Sequence, residues 1–254
     1  MIDIHCHILP GMDDGAKSAE ESQAMVEAAV ADGITHVVAT PHANSHYYFD
    51  FEKVRQALQT LQEYAGNRLS LTTGCDFQMS PENLEDLRQA PERFCINQKD
   101  YLLMEFSEYS IPPAMDQSIH QLQLAGLRPI VTHPERNRIL RDRPERLRQW
   151  IRQGCSSQVT AGSLTGLFGP AAQHEAERWM EEGLVHFVAS DAHNVRGRPL
   201  RLRPAYDFVK KRFGETVAEA LFVENPRAAW EGKPLPYVPE VKDPAPKRKR
   251  FFFF

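Results

Sequence analysis

The sequence predicts an α/β protein whose parallel strands close into a β/α barrel, and three observations carry that prediction. Seven short, apolar strand segments alternate with helical segments along the chain, an alternation that demands a parallel sheet. Six of the seven strand segments end in a histidine or carboxylate of metal-ligand type. Barrels collect such residues at many strand ends, whereas an open sheet feeds its site from a few. The length of 254 residues, 42% of them hydrophobic, falls within the range of one such barrel.

The chain opens Met1-Ile2-Asp3-Ile4-His5-Cys6-His7, with a first strand from Ile2 to His5. Residues at i and i+2 of a strand share a side, so His5 and His7 can reach one metal ion while Cys6 faces the other way. Asp14 follows in Asp13-Asp14-Gly15, where a turn would equally account for it. Ser18-Ala19-Glu20-Glu21 has capping-box spacing, and the helix it starts runs to Asp32-Gly33. The second strand, Thr35 to Thr40, leads to His42. A helix from Asp50 to Ala65 is closed by Gly66, the third strand runs from Leu69 to Thr73 before Asp76, and Ser80-Pro81 starts a short helix. The fourth strand, Tyr101 to Phe106, contains Glu105 directly after Tyr101-Leu102-Leu103-Met104, where a buried carboxylate must be paired or metal-bound. A helix from Met115 to Ala125 ends at Gly126, and the fifth strand, Pro129 to Thr132, precedes His133. After a helix from Pro144 to Gln153, the sixth strand (Ser157 to Thr160) ends in no candidate ligand. A helix from Pro170 to Glu182 and a seventh strand from His186 to Ser190 then lead to Asp191 and His193.

A net charge of -4 provides no global basic field, which excludes nucleic acid as an expected partner. The four cysteines, Cys6, Cys75, Cys95 and Cys155, have neither CxxC nor zinc-finger spacing and fit buried reduced thiols. With no basic and apolar leader and no apolar run long enough to be a transmembrane segment, a cytoplasmic protein is expected. The sequence specifies no oligomeric state. The catalytic domain is expected over 1–232. Residues 233–254 are expected to form a flexible tail, because they are proline-rich and end in Lys247-Arg248-Lys249-Arg250 and Phe251 to Phe254.

Singly, each donor has an ordinary explanation. A lone strand-end histidine such as His133 is more often a hydrogen-bonded structural residue, and Asp76 and Asp191 would serve as helix N-caps. Together, five histidines and four carboxylates at six strand ends favour a shared site over coincidence. A donor set without thiolate suits manganese, iron, zinc or magnesium, and nine donors exceed one ion, so two or three are implied. Paired ions lower the pKa of a bound water and clamp phosphate oxygens for in-line attack. A thiol mechanism is unsupported: its signature places arginine six positions after the cysteine, and here those positions hold Met12, Pro81, Tyr101 and Ala161. Arg136, three residues after His133, and Arg198, in the loop after His193, are candidates to bind phosphate bidentately, exposed surface arginine being the alternative. Tyr47, Tyr48 and Phe49, after His42, would either sandwich an aromatic substrate or anchor their loop.

The chain resembles the PHP (polymerase and histidinol phosphatase) superfamily, most closely the bacterial CpsB-type tyrosine-protein phosphatases. The likeness rests on Met1 to His7, Met12-Asp13-Asp14-Gly15, Thr40-Pro41-His42, Gly74-Cys75-Asp76, Leu103-Met104-Glu105-Phe106-Ser107, His133-Pro134-Glu135-Arg136, and Val188 to Asn194 with Gly197-Arg198-Pro199. The resemblance implies a distorted seven-stranded, TIM-like β/α barrel holding up to three ions, commonly Mn2+. One ion would take His5, His7, Asp76 and Asp191, a second Asp76, Glu105 and His133, and a third Asp14, His42 and His193. Asp76 would bridge two ions where the family usually has the longer glutamate. The implied partner is a phosphotyrosine protein, the tyrosine-rich tail of a bacterial tyrosine autokinase that controls capsule or exopolysaccharide synthesis. Competing readings are a small-molecule phosphoesterase such as a histidinol phosphatase, and a metal-dependent amidohydrolase. The latter's barrels also begin with H-x-H but commonly carry lysine or histidine at middle strands, where this chain has Glu105.

Overall fold

The computed structural model describes residues 1–243. Its strands are β1 (Ile2–Cys6), β2 (His36–Ala39), β3 (His42–Ala43), β4 (Ser70–Thr73), β5 (Asp76–Gln78), β6 (Tyr101–Glu105), β7 (Arg128–Thr132), β8 (Ser156–Thr160) and β9 (Phe187–Ala189). Every pairing is parallel. The order is β1-β2-β4 in one sheet and β3-β5-β6-β7-β8-β9 in the other. The single cylinder of seven strands expected from the sequence is thus divided: β2 and β4, the second and third expected strands, are each followed after two residues, Thr40-Pro41 and Gly74-Cys75, by a further short strand, β3 and β5, that belongs to the other sheet. Pro41 has no N–H to continue a ladder. At Gly74 a Cβ would lie 2.7 Å from Val38 Cγ1, so only glycine lets the two strands pass so closely.

Hydrogen bonds span the interruption. The Thr40 N–H donates to the Cys6 carbonyl (2.9 Å), Gly74 to Ala39 (2.9 Å) and Asp76 to Pro41 (3.3 Å). A second set joins the start of the chain to its end: Asp191 N–H donates to the His5 carbonyl (2.9 Å), His7 N–H to that of Ala192 (2.8 Å), and Cys6 and Ala192 form a parallel bridge.

Both faces of the strands are buried, so neither shows polar alternation. Ile2, Ile4, Val38, Tyr101, Leu103, Ile130 and Phe187 form one cluster, with Ala229 also buried in it. The intervening residues, among them Cys6, Val37, Leu102, Met104, Val131 and Val188, pack in a larger cluster with helical residues. The helices begin where their caps predict. The Ser18, Asp50 and Ser80 side chains accept from the backbone N–H three residues on, starting helices Ala19–Asp32, Phe51–Ala65 and Pro81–Gln89. Met115–Leu124, Pro144–Arg152 and Gly169–Glu181 end within a residue or so of expectation, and Arg203–Phe213, Glu215–Glu219 and Asn225–Glu231 follow β9.

The tail expected from residue 233 is described as far as residue 243. Residues 233–243 lack regular structure yet are fastened to the body. The buried Asn225 amide donates to the carbonyls of His186 (2.9 Å) and Tyr237 (2.8 Å) and accepts from Tyr237 N–H (3.1 Å). Lys242 N–H donates to the Glu182 carbonyl, and Gly183, with φ 71°, is where a Cβ would collide with the Glu240 carbonyl. Composition reported the prolines but not these polar anchors. The basic and phenylalanine run Lys247 to Phe254 lies outside the described residues. Among the described residues no helix is long and apolar enough to cross a membrane.

His186, just before β9, is 2% exposed and accepts at Nδ1 from the Ser157 N–H (3.3 Å). Burial pushes its imidazole down to about 4. Between the unfolded value of about 6.5 and that folded value the unfolded chain binds the extra proton, so stability falls as pH drops through the window. His186→Gln removes this contribution. Urea titrations of both proteins from pH 7 to 4.5 are expected to show wild type losing about 2–3 kcal/mol more than the variant; parallel curves would exclude a buried neutral His186.

Candidate metal centre

The nine donors singled out in the sequence converge at the C-terminal ends of the strands. Asp76 is their hub. Its Oδ2 lies 3.2 Å from His42 Nδ1, 3.6 Å from His5 Nε2 and 3.7 Å from His133 Nε2. Asp191 Oδ1 lies 3.5 Å from His5 Nε2 and 3.4 Å from His7 Nε2, and the two imidazole nitrogens of His5 and His7 are 3.2 Å apart. Asp14 Oδ1 is 3.5 Å from His42 Nε2 and 3.4 Å from His193 Nε2. Glu105 reaches His42 (3.6 Å) and His133 (3.8 Å). Three groups of ligand atoms are close enough to share an ion: His5, His7 and Asp76; His42, Asp76 and Glu105; and His7, Asp14, His42 and His193. Compared with the sets implied by resemblance, His42 stands beside Asp76 and Glu105 where His133 was expected, and His7 approaches two groups. Asp76 belongs to two of the three, the position expected of a bridging carboxylate.

These residues fit divalent cations. A tetrahedral or octahedral shell with bonds of about 2.1 Å has donor–donor edges of roughly 3.0–3.4 Å, close to the separations here. Asp76 Oδ2, His42 Nδ1 and His193 Nε2 are buried without hydrogen-bond partners, a cost that an ion among them removes. The local field also favours cations. Burial would depress the His5 imidazole, but Asp76 and Asp191 outweigh it and raise it to about 9; His42 is likewise buried yet raised to about 10 by Asp76 and Glu105. Asp76, despite burial, is held well below the usual carboxylate range by His5, His133 and His42. Burial and the Asp76 charge push Glu105 up to about 8, and burial with Arg136 pushes His133 down to about 4.

Backbone geometry aims two of the donors. His133 (φ 32°) and Asp191 (φ 51°) are non-glycine residues in the left-handed region, which costs about 1–3 kcal/mol each. Surrounding bonds hold them there: Arg136 N–H donates to the His133 carbonyl (3.0 Å), and Asp191 N–H to that of His5. Two further residues orient the histidines and were missed in the sequence. Asp13 Oδ2 bonds His7 Nδ1 (2.6 Å) and accepts from His42 N–H (2.9 Å), and Gln158 Oε1 bonds His5 Nδ1 (2.9 Å). Fixing one ring nitrogen leaves the other for a metal. The available signals were a second acid beside Asp14 and a glutamine inside a buried strand.

Arg136 and Arg198 both donate through Nη2 to Asp191 Oδ2, Arg198 at 2.5 Å, while their Nε atoms have no partner. They line a cavity of about 410 Å³ together with Asp14, His42, Glu105 and His133. The aromatic trio after His42 does not form a sandwich. Tyr47 stacks on His42 (6.1 Å between centroids), Phe49 is buried against Phe94, and Tyr48 alone is open to solvent, at 82% exposure. All four cysteines are buried, which pushes Cys95 and Cys155 up to about 12 and Cys6 and Cys75 well above the ordinary thiol value. None is a thiolate nucleophile at neutral pH.

Comparison with known proteins agrees with this chemistry. The tyrosine-protein phosphatase YwqE of Bacillus subtilis is 37% identical over the whole of both chains. The tyrosine-protein phosphatase CpsB of Streptococcus pneumoniae is 32% identical over 89% of this chain and 97% of its own. A crystal structure from work on YwqE and CpsB, described there as unique metal-dependent tyrosine phosphatases, superposes with a TM-score of 0.88 at 36% identity, covering 96% of this chain and all of the other. A family model, capsular polysaccharide synthesis, CpsB/CapC, matches residues 1–231. The chain belongs to the CpsB/CapC family.

Proposed function

We propose that the protein is a cytoplasmic, metal-dependent protein-tyrosine phosphatase, active on the tyrosine-rich tail of a bacterial autokinase that regulates capsule or exopolysaccharide synthesis. The observation that carries this reading is the convergence of seven donors in three ion-sized groups, with His133 and Asp191 within 3.8 Å of their members, beside two arginines with unpaired Nε–H groups. The hydrogen bonds linking the two sheets, and β1 to the Asp191 segment, support a closed seven-stranded barrel as its frame. Residues 1–232 act as one catalytic domain.

His5, His7, Asp76 and Asp191 would hold one ion, Asp76, Glu105 and His133 a second, and Asp14, His42 and His193 a third, with manganese preferred and iron, zinc or magnesium compatible with the donors. Bound there, divalent ions supply Lewis acidity, lowering the pKa of water toward neutrality and offsetting phosphate charge. The chain's own residues do the rest. Asp13 and Gln158 keep the His7 and His5 rings oriented. Arg136 and Arg198 exchange the Asp191 carboxylate for phosphate oxygens, so that the ester is held by planar forks. The cavity admits the phosphate with its aromatic ring. A tyrosinate leaves with a pKa near about 10, so departure requires no dedicated acid.

The test is hydrolysis of a phosphotyrosyl peptide against histidinol phosphate at equal metal loading, with elemental analysis of wild type and His5→Ala. The peptide is expected to be preferred, and His5→Ala to lose both metal and turnover. Preference for histidinol phosphate would move the substrate to a small phosphomonoester; survival of metal and turnover in His5→Ala would displace the centre itself.

A further inference from the structure

Of the seven strand segments expected from the sequence, only the sixth, β8, leads to no donor of the centre, and the segment after it brings an aromatic ring to the cavity instead. Phe168 lies between the short helix Ala161–Leu164 and the helix Gly169–Glu181, half-buried, with its ring lining the cavity that Arg136 and Arg198 line. The Arg136 guanidinium carbon sits 4.6 Å from the ring centroid and that of Arg198 5.7 Å. One aromatic ring therefore serves both cations, which come from different loops.

We propose that Phe168 is the positioning residue of the phosphate pocket: its ring holds the two guanidinium groups side by side while leaving their N–H donors free for the ester. Two cations brought this close repel one another. Asp191, buried beneath them, offsets the charge but occupies a donor from each. A ring face attracts a guanidinium through its quadrupole without accepting a strong hydrogen bond, so it orients the forks without competing with phosphate. A carboxylate at the same place would compete. The unpartnered Nε atoms of both arginines are the donors this arrangement keeps available.

The local chain is built to hold the ring still. Leu167 N–H donates to the Gly162 carbonyl (2.8 Å), and a Cβ at Gly162 would lie 2.9 Å from Phe168 Cε2. The buried Glu135 carboxylate, one residue before Arg136, accepts from Thr160 N–H (2.9 Å) and Ser163 Oγ (2.7 Å). It thereby ties the loop that carries the ring to the loop that carries the guanidinium.

This inference rests on the phosphatase reading, and its test separates the two. Phe168→Leu keeps apolar bulk and loses the π face, Phe168→Tyr keeps the face, and Gly162→Ala displaces the ring without removing it. With p-nitrophenyl phosphate as substrate and orthophosphate as inhibitor, Phe168→Leu and Gly162→Ala are expected to raise KM and the phosphate inhibition constant together, by about five- to thirtyfold. Phe168→Tyr is expected to restore both to within about threefold of wild type, and metal content and Tm to hold in all three. An active wild type whose Leu variant keeps its KM and phosphate affinity overturns the role of Phe168, as does a Tyr variant as impaired as the Leu variant or a loss that tracks metal content or Tm. A wild type that neither hydrolyses the ester nor responds to phosphate overturns the phosphatase reading, and the inference with it.

Discussion

Asp76→Asn lowers turnover of a phosphotyrosyl peptide by about 10³- to 10⁴-fold, the scale expected when a polynuclear centre loses the group that neutralises and spaces its ions. Three histidines lie within 3.7 Å of Asp76 Oδ2, and the residue is fully buried. Asparagine preserves its shape and removes its charge. Bound metal per chain falls in parallel, and the gain in Tm on adding manganese disappears, because a ligand that no longer prefers the folded state cannot stabilise it. In chelator the variant melts below wild type, because the buried carboxylate that His5, His133 and His42 hold well below its usual range also stabilises the metal-free fold. Asp76→Glu is the informative companion. It supplies the longer side chain usual in this superfamily and is expected to keep turnover within about tenfold. Full activity in the Asn variant would remove Asp76 from the chemistry.

Arg136→Lys reduces kcat/KM by about 10²-fold, equivalent to about 2.7 kcal/mol and within the range for charged hydrogen bonds lost at a desolvated site. The charge remains; the planar fork does not. Orthophosphate inhibition weakens with it, while metal content stays at the wild-type level. The contrast with Asp76 is therefore a contrast of readouts: one substitution empties the centre and the other leaves it loaded but poorly engaged with its substrate. Loss of metal in Arg136→Lys would mean that Arg136 acts chiefly by holding Asp191.

Much of this was legible because the decisive features are local. Strand ends, capping residues and terminating glycines are written in neighbouring positions, so the nine donors and most helix starts could be read directly. What escaped depends on contacts distant in sequence or on conformations that residue type does not announce. The break at Thr40-Pro41 was not read from the sequence, since it goes with the close approach of Gly74 to Val38 and Thr40 on the neighbouring strand. His133 and Asp191 adopt left-handed backbone although neither is glycine, because the surrounding bonds overrule their preference. Asp13 was given no role beside Asp14, and its part follows from the 2.6 Å contact with His7. The strap over residues 233–243 read as a loose tail, since proline content says nothing of the Asn225 amide that fastens it.

The lone donor-free strand end has a consequence for how such a protein can change. At the other six, a substitution risks emptying the metal centre, so selection has little room to explore. The stretch 161–168 after β8 borders both the catalytic cavity and a neighbouring groove of about 340 Å³ lined by Leu167, Pro199 and Pro204. Apart from Gly162, Ser163 and Phe168, which set the ring in place, its side chains can therefore vary without removing a metal donor. Divergence toward new protein substrates, natural or in a directed library, has its freest route through this one loop.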